Sequence, residues 1–207
     1  MKSETAEVQN NMKAFVYKGK FNGDESSLPT REHPEGAVPF KEAEDMKKLS
    51  FVMNIASMIL TVFLYAIVVL RAGRFFIDFT GAVLSLVFMV PHEFLHGICF
   101  KGTVYMYQNL AQGMLFVLST EEISKARFVF LSLLPNIVFG LIPFVVFMIN
   151  PNLTILGTLG AISIPMGAGD YYNVFNAVTQ MPKGALTYLS GMHSYWYLPE
   201  SSPNRHI

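Results

Sequence analysis

From Leu49 to Leu70 the chain runs without a charged residue. At about 1.5 Å per residue, a helix over this run reaches across a hydrocarbon core of ~30 Å. Arg71 and Arg74 close the run, with Gly73 between them in a tight turn. Three more apolar segments follow: Phe75 to Phe100, Phe128 to Ile149, and Leu153 to about Thr179. The last is interrupted by Gly157, Gly160, Pro165, Gly167 and Gly169. A membrane helix tolerates such breaks where neighbours or water satisfy the freed backbone groups. Only 14% of the 207 residues are charged and 52% are hydrophobic, with mean hydropathy +0.38. Soluble domains carry roughly 25% charged residues, and a soluble fold of this size would leave large apolar patches exposed. The predicted fold class is an all-α integral membrane protein with about four transmembrane helices. Gly102–Thr120, rich in Val, Tyr and Phe around "QNLAQG", reads as a short hairpin or re-entrant segment after the second helix. "AFVY" in the polar head reads as a short strand.

Charge is unevenly distributed. Fifteen Lys and Arg balance fifteen Asp and Glu, but eight of the basic residues precede Leu49. With four crossings, the head, the Lys101–Arg127 loop and the tail share one side and thirteen basic residues, leaving Arg71 and Arg74 on the other. The positive-inside rule then places both termini in the cytoplasm of a multi-pass protein. The polar start "MKSETAEVQNNMKAF" lacks the apolar core of a signal peptide, so insertion is expected to use the internal segments. No basic face of the kind that binds nucleic acid is visible. Cys99 is the single cysteine, which excludes an internal disulfide and a Cys-rich zinc motif.

Few ionisable residues remain inside the apolar segments: Asp78, His92, Glu93, His96 and Asp170. Each is costly at bilayer depth unless paired, and so marks a candidate functional site. Asp78 lies near Arg71 and Arg74 and reads as an interfacial anchor. "HEFLH", His92 to His96, has the HExxH spacing. On a helix, residues four apart share a face, so both imidazoles can converge on one Zn²⁺ while Glu93 is left to accept a proton from the attacking water. The alternative is a pair of buried histidines satisfied by hydrogen bonds, with Glu93 pairing one of them. Pro91 should bend the helix just before His92. Catalytic zinc takes three protein ligands. Candidates for the third are Asp170, Cys99 and a distant histidine among His33, His193 and His206. Asp170 fits best: the second and fourth segments both run inward, and each carries its polar group late, at similar depth.

With "PHEFLHG" on the second segment and "GD" before "YYN" on the fourth, the chain resembles the zincin peptidase family of small bacterial membrane proteins. More distantly it resembles the site-2 intramembrane metalloproteases. The likeness extends from "HPEGAVPFKEAEDMKKLS" through "GDYYNVFNAV". It implies His92, His96 and Asp170 as zinc ligands and Glu93 as catalytic base. It also implies a hairpin over Gly102–Leu118 whose edge pairs with an extended substrate. The chain departs from the site-2 pattern, which sets its aspartate in Asn-Pro-Asp-Gly; here Gly169 precedes Asp170 and Tyr171 follows. No PDZ-like domain is visible.

The expected organisation is a polar cytoplasmic segment over 1–48, a membrane-embedded zincin-like domain over 49–182, and a cytoplasmic tail over 183–207. The expected activity is zinc-assisted peptide hydrolysis at the cytoplasmic side of a bacterial cell membrane. The expected partners are the lipid bilayer and a membrane protein or peptide substrate. Asn173 and Asn136 are candidate oxyanion or substrate contacts. Rival readings are a zinc-binding membrane scaffold or sensor without hydrolysis, and a small transporter using the broken fourth segment.

Overall fold

The computed structural model describes residues 14–43, 46–109 and 114–199. The first part of the head, Glu44 and Asp45, the tip of the "QNLAQG" turn, and the tail from Glu200 with Arg205 and His206 lie outside the described residues. Among the described residues, three helical stretches are long and apolar enough to cross a membrane: Lys48–Ala72, Phe79–Ile98 and Lys125–Ile149. The first belongs to α1 (Met46–Ala72), which is unbroken. The second is α2 (Phe79–Val87) followed by α3 (Met89–Ile98), and the third is α4 (Lys125–Asn136), a π turn at Ile137–Leu141, and α5 (Ile142–Ile149).

The fourth expected crossing is absent as a single helix. Its place is taken by α6 (Thr154–Met166) and α7 (Ala168–Gln180), which part at Gly167. The glycine and proline content that seemed tolerable in one helix instead divides it, with Pro165 at the end of α6 and Gly167 serving both as C-cap and N-cap. The interruption also admits a side chain: a Cβ on Gly167 would overlap Asn136 Oδ1. Close approach recurs within α6, where a Cβ on Gly160 would come to 2.7 Å of the Phe144 backbone. That lets α6 pack directly against α5, as well as against α1 and α2.

The all-α expectation is overturned by two sheets. One has the order β1-β3-β4 and the other β2-β7-β6-β5. In the first, β1 (Phe15–Lys20) runs parallel to β3 (Val104–Asn109), which pairs antiparallel with β4 (Met114–Leu118). The expected hairpin segment is thus part of a sheet completed by the polar head. In the second, β2 (Val38–Pro39) pairs with β7 (His193–Tyr197), β7 with β6 (Leu186–Ser190), and β6 with β5 (Ile123–Ser124). Head and tail therefore meet in one sheet. A buried cluster of Phe40, Phe100, Val104, Ile123, Phe128, Leu131, Ala177 and Met181 joins the sheets to α4 and α7.

At the other end of the bundle, Val68, Phe147 and Ala161 form a separate core, and Arg71 Nε donates to the Met148 carbonyl at 2.8 Å. Between these ends the helices turn apolar side chains outward. Only 11% of the apolar window of α1 is buried, and Met58, Ile59, Val62, Phe63, Leu86 and Val87 are all more than half exposed. A belt of this kind is stable only against lipid or a comparable apolar surface. The protein is accordingly associated with a membrane.

Candidate metal centre

The site begins with a helix break. A proline ring collides with the carbonyl four residues earlier, and for Pro91 that carbonyl belongs to Val87, where α2 ends. The chain turns at Phe88 and α3 re-forms at once, with the His92 N–H bonded to Phe88 O at 2.9 Å. His92, Glu93 and His96 occupy the first turns of the new helix. The His92 and His96 rings lie 4.9 Å apart between centroids. One ligand atom from each of His92, Glu93 and His96 falls within 4.8 Å of the others.

Asp170 arrives from α7, in its first turn, where a carboxylate is favoured by the unpaired N–H groups of the helix start. Its Oδ2 is 3.1 Å from His92 Nε2, and its Oδ1 is 3.2 Å from His96 Nε2. Asn136 Nδ2, at the end of α4, donates to Asp170 Oδ2 at 2.7 Å and to the Ser132 carbonyl at 3.2 Å. His96 Nδ1 lies 2.8 Å from the Leu131 carbonyl. A carbonyl only accepts, so the Nδ1 proton must lie in that bond.

These contacts test whether the residues suit a metal. With its proton on Nδ1, a neutral His96 turns the Nε2 lone pair toward Asp170 Oδ1. Two acceptors 3.2 Å apart repel each other, so a positive charge, either a proton on Nε2 or a metal ion, has to lie between them. Ligand atoms of a tetrahedral zinc with bonds of ~2.0–2.1 Å stand about 3.4 Å from one another, close to the separations observed. Two imidazoles and one carboxylate are a catalytic zinc donor set, and the Nδ1 bond to a carbonyl is the usual way of orienting a histidine ligand. The residues fit the ion.

The other candidates sit elsewhere. Cys99 is the C-cap of α3, and its carbonyl accepts from Arg127 Nε at 3.0 Å. His33 contacts the Tyr188 hydroxyl through Nδ1 at 2.9 Å. His193 lies beside Glu42 and Glu25, and His206 falls outside the described residues. Asp78 caps α2, accepting from Gly81 N–H at 3.2 Å and from the Thr154 hydroxyl at 2.7 Å. Asn136 is brought to the site, but Asn173 is not: it is exposed, beside Phe40, Glu42 and Ser194.

Two contributions escaped side-chain reasoning. Leu131 acts through its backbone. Glu121 and Arg127 fasten the end of α3: the Glu121 carboxylate accepts from the Gly102 N–H at 2.9 Å and from Arg127 Nη1 at 2.8 Å, while Arg127 also holds the Cys99 carbonyl. The sequence signal was present, since "EEISKAR" puts opposite charges six residues apart next to an apolar helix.

Beside the site, α3 packs against β4, an edge strand. The packing of α3, which carries Glu93, against β4 sets this edge of the sheet beside the candidate base.

Residues 85–186 match a family model whose description reads "Putative zincin peptidase". No curated protein and no solved structure matches the chain.

Proposed function

Residues 85–186 belong to the zincin peptidase family, and from that premise we propose that the protein is a membrane-bound zinc metallopeptidase. The observation that carries this reading is the Asp170 carboxylate standing 3.1 and 3.2 Å from the two HExxH imidazoles. His92, His96 and Asp170 would hold the ion. Bound Zn²⁺ supplies Lewis acidity, which polarises a scissile carbonyl and eases deprotonation of water.

The remaining chemistry falls to the chain. Glu93 takes the proton of the attacking water on its carboxylate and returns it to the leaving amine. The free edge of β4 aligns an extended substrate, because strand addition satisfies backbone groups that lipid leaves unpaired. A helical substrate has to unwind locally before it can pair in this way. The site lies at the end of the bundle that carries the sheets. Head and tail share one sheet there, while Arg71 and Arg74 cap the far end of α1. With the basic residues concentrated on the sheet side, that side is assigned to the cytoplasm of a bacterial cell, with both termini on it and cleavage at that depth.

The test uses protein purified without chelators and reconstituted into vesicles with single-span membrane peptides. Wild type should carry about one zinc per chain and release peptide fragments detectable by mass spectrometry. His92→Ala should lose the metal. Glu93→Gln should keep zinc while its cleavage rate falls by ~10²–10⁴-fold. Equal cleavage by Glu93→Gln would remove Glu93 from the mechanism, and zinc retention with no cleavage by wild type would favour a metal-dependent scaffold.

A further inference from the structure

Two adjacent residues of α4, Pro135 and Asn136, are fully or almost fully buried; Asn136 retains 4% of its exposure. Neither is a metal ligand, and a proline inside a helix costs stability. Its position has a specific consequence. In an uninterrupted α-helix the N–H of residue 135 would bond to the carbonyl of residue 131. Proline has no N–H, so the Leu131 carbonyl is left without its helical donor, and this carbonyl is the one that receives His96 Nδ1 at 2.8 Å.

Asn136 completes the arrangement. Both groups near its amide, the Ser132 carbonyl and Asp170 Oδ2, only accept, so the nitrogen must face them. The amide oxygen is consequently turned into the protein, where it is buried with no hydrogen-bond partner. It occupies the space in which any residue larger than Gly167 would carry its Cβ. The chain thus accepts an unpaired oxygen, a missing side chain at 167 and a helix-interior proline, and all three serve two ligands on two other helices.

Building on the zinc reading above, we propose that the Pro135–Asn136 step is the orienting element of the metal centre. Pro135 reserves the Leu131 carbonyl for His96 and so sets its tautomer, with Nε2 free to ligate. Asn136 holds Asp170 through Oδ2 and keeps its carboxylate facing the imidazoles. Both are positioning residues, since neither needs to touch substrate or metal.

The experiment compares wild type, Pro135→Ala and Asn136→Leu as full-length protein in detergent. Zn²⁺ affinity is read by competition with a chromogenic chelator, the Co²⁺ form by its visible d–d spectrum, and thermal unfolding on the metal-free protein. Pro135→Ala restores an N–H that competes with His96 for the Leu131 carbonyl. It should weaken zinc binding about 10–100-fold and shift the Co²⁺ spectrum, while metal-free unfolding stays put or moves upward. Asn136→Leu should weaken zinc binding by a similar factor. A purely structural role for Pro135 predicts the reverse: lower metal-free stability with unchanged affinity and spectrum. Unchanged affinity in both variants, with wild type still binding one zinc, would overturn the proposal and leave the peptidase reading intact. Absence of stoichiometric zinc in wild type would instead overturn both.

Discussion

α1 and the α2–α3 pair are both apolar enough to cross a membrane, but they treat polarity in opposite ways. α1 continues from Met46 to Ala72 without a break, and from Leu49 to Leu70 it carries no Asp, Glu, His, Lys or Arg. The α2–α3 pair breaks at Phe88 and sets His92, Glu93 and His96 into the turns that follow. The α6–α7 pair repeats the pattern, with a break at Gly167 and Asp170 three residues later. Ionisable groups at depth are therefore found just past an interruption, where a helix can be re-aimed and its new start offers unpaired N–H groups. An unbroken helix anchors; an interrupted one presents chemistry.

Removing an interruption is the strongest way to break this contrast. Pro91→Ala relieves the clash with the Val87 carbonyl and lets α2 and α3 fuse. Displacing His92 and His96 by even ~1 Å should cost about 10²-fold in peptide cleavage, measured in vesicles, although all four site residues remain. Cleavage at the wild-type rate would separate the break from the function. A smaller effect is expected where a helix needs close approach. Gly160→Ala pushes a methyl group against the Phe144 backbone and should lower stability by about 1–3 kcal/mol, seen in thermal unfolding, without altering the zinc stoichiometry. The smallest is expected on α1. Val62→Leu, on a side chain that is 67% exposed, should change stability by less than about 0.5 kcal/mol. A larger loss would mean that this face of α1 packs against protein.

The parts of the molecule that follow a short-range rule could be read from the sequence. Leu49–Leu70 announced α1 through the absence of charge, and the spacing of His92 and His96 put both imidazoles on one helical face with Glu93 next to the first. Asp170 was singled out because a lone carboxylate in an apolar segment needs a reason. The strand at "AFVY" and the β3–β4 hairpin were readable from local pattern, but the second sheet was not, because β2 and β5 have two residues each and so carry no periodicity. The parallel pairing of β1 with β3 joins residues that nothing local connects. The division of α6 from α7 was overlooked because glycine was weighed as tolerated rather than required, and the requirement comes from Asn136 on another helix. Asn136 itself was noticed for its amide, as an oxyanion contact, whereas the structure sets that amide on Asp170. Leu131 left no trace in its own side chain. Its trace is Pro135, four positions on, and it becomes visible only when the backbone donors are counted.

The pairing of β2 with β7 also imposes an order in time. Val38 meets Trp196 and Pro39 meets Tyr195, so a strand made before the helices has to wait for one made after them. Loop closure over such a span is slow compared with helix formation. The helices carrying His92, His96 and Asp170 will have left the ribosome before this sheet can close. Between those two moments the nascent chain holds its site-forming helices without the finished sheet, and the sheet is completed only after β6 and β7 have followed them.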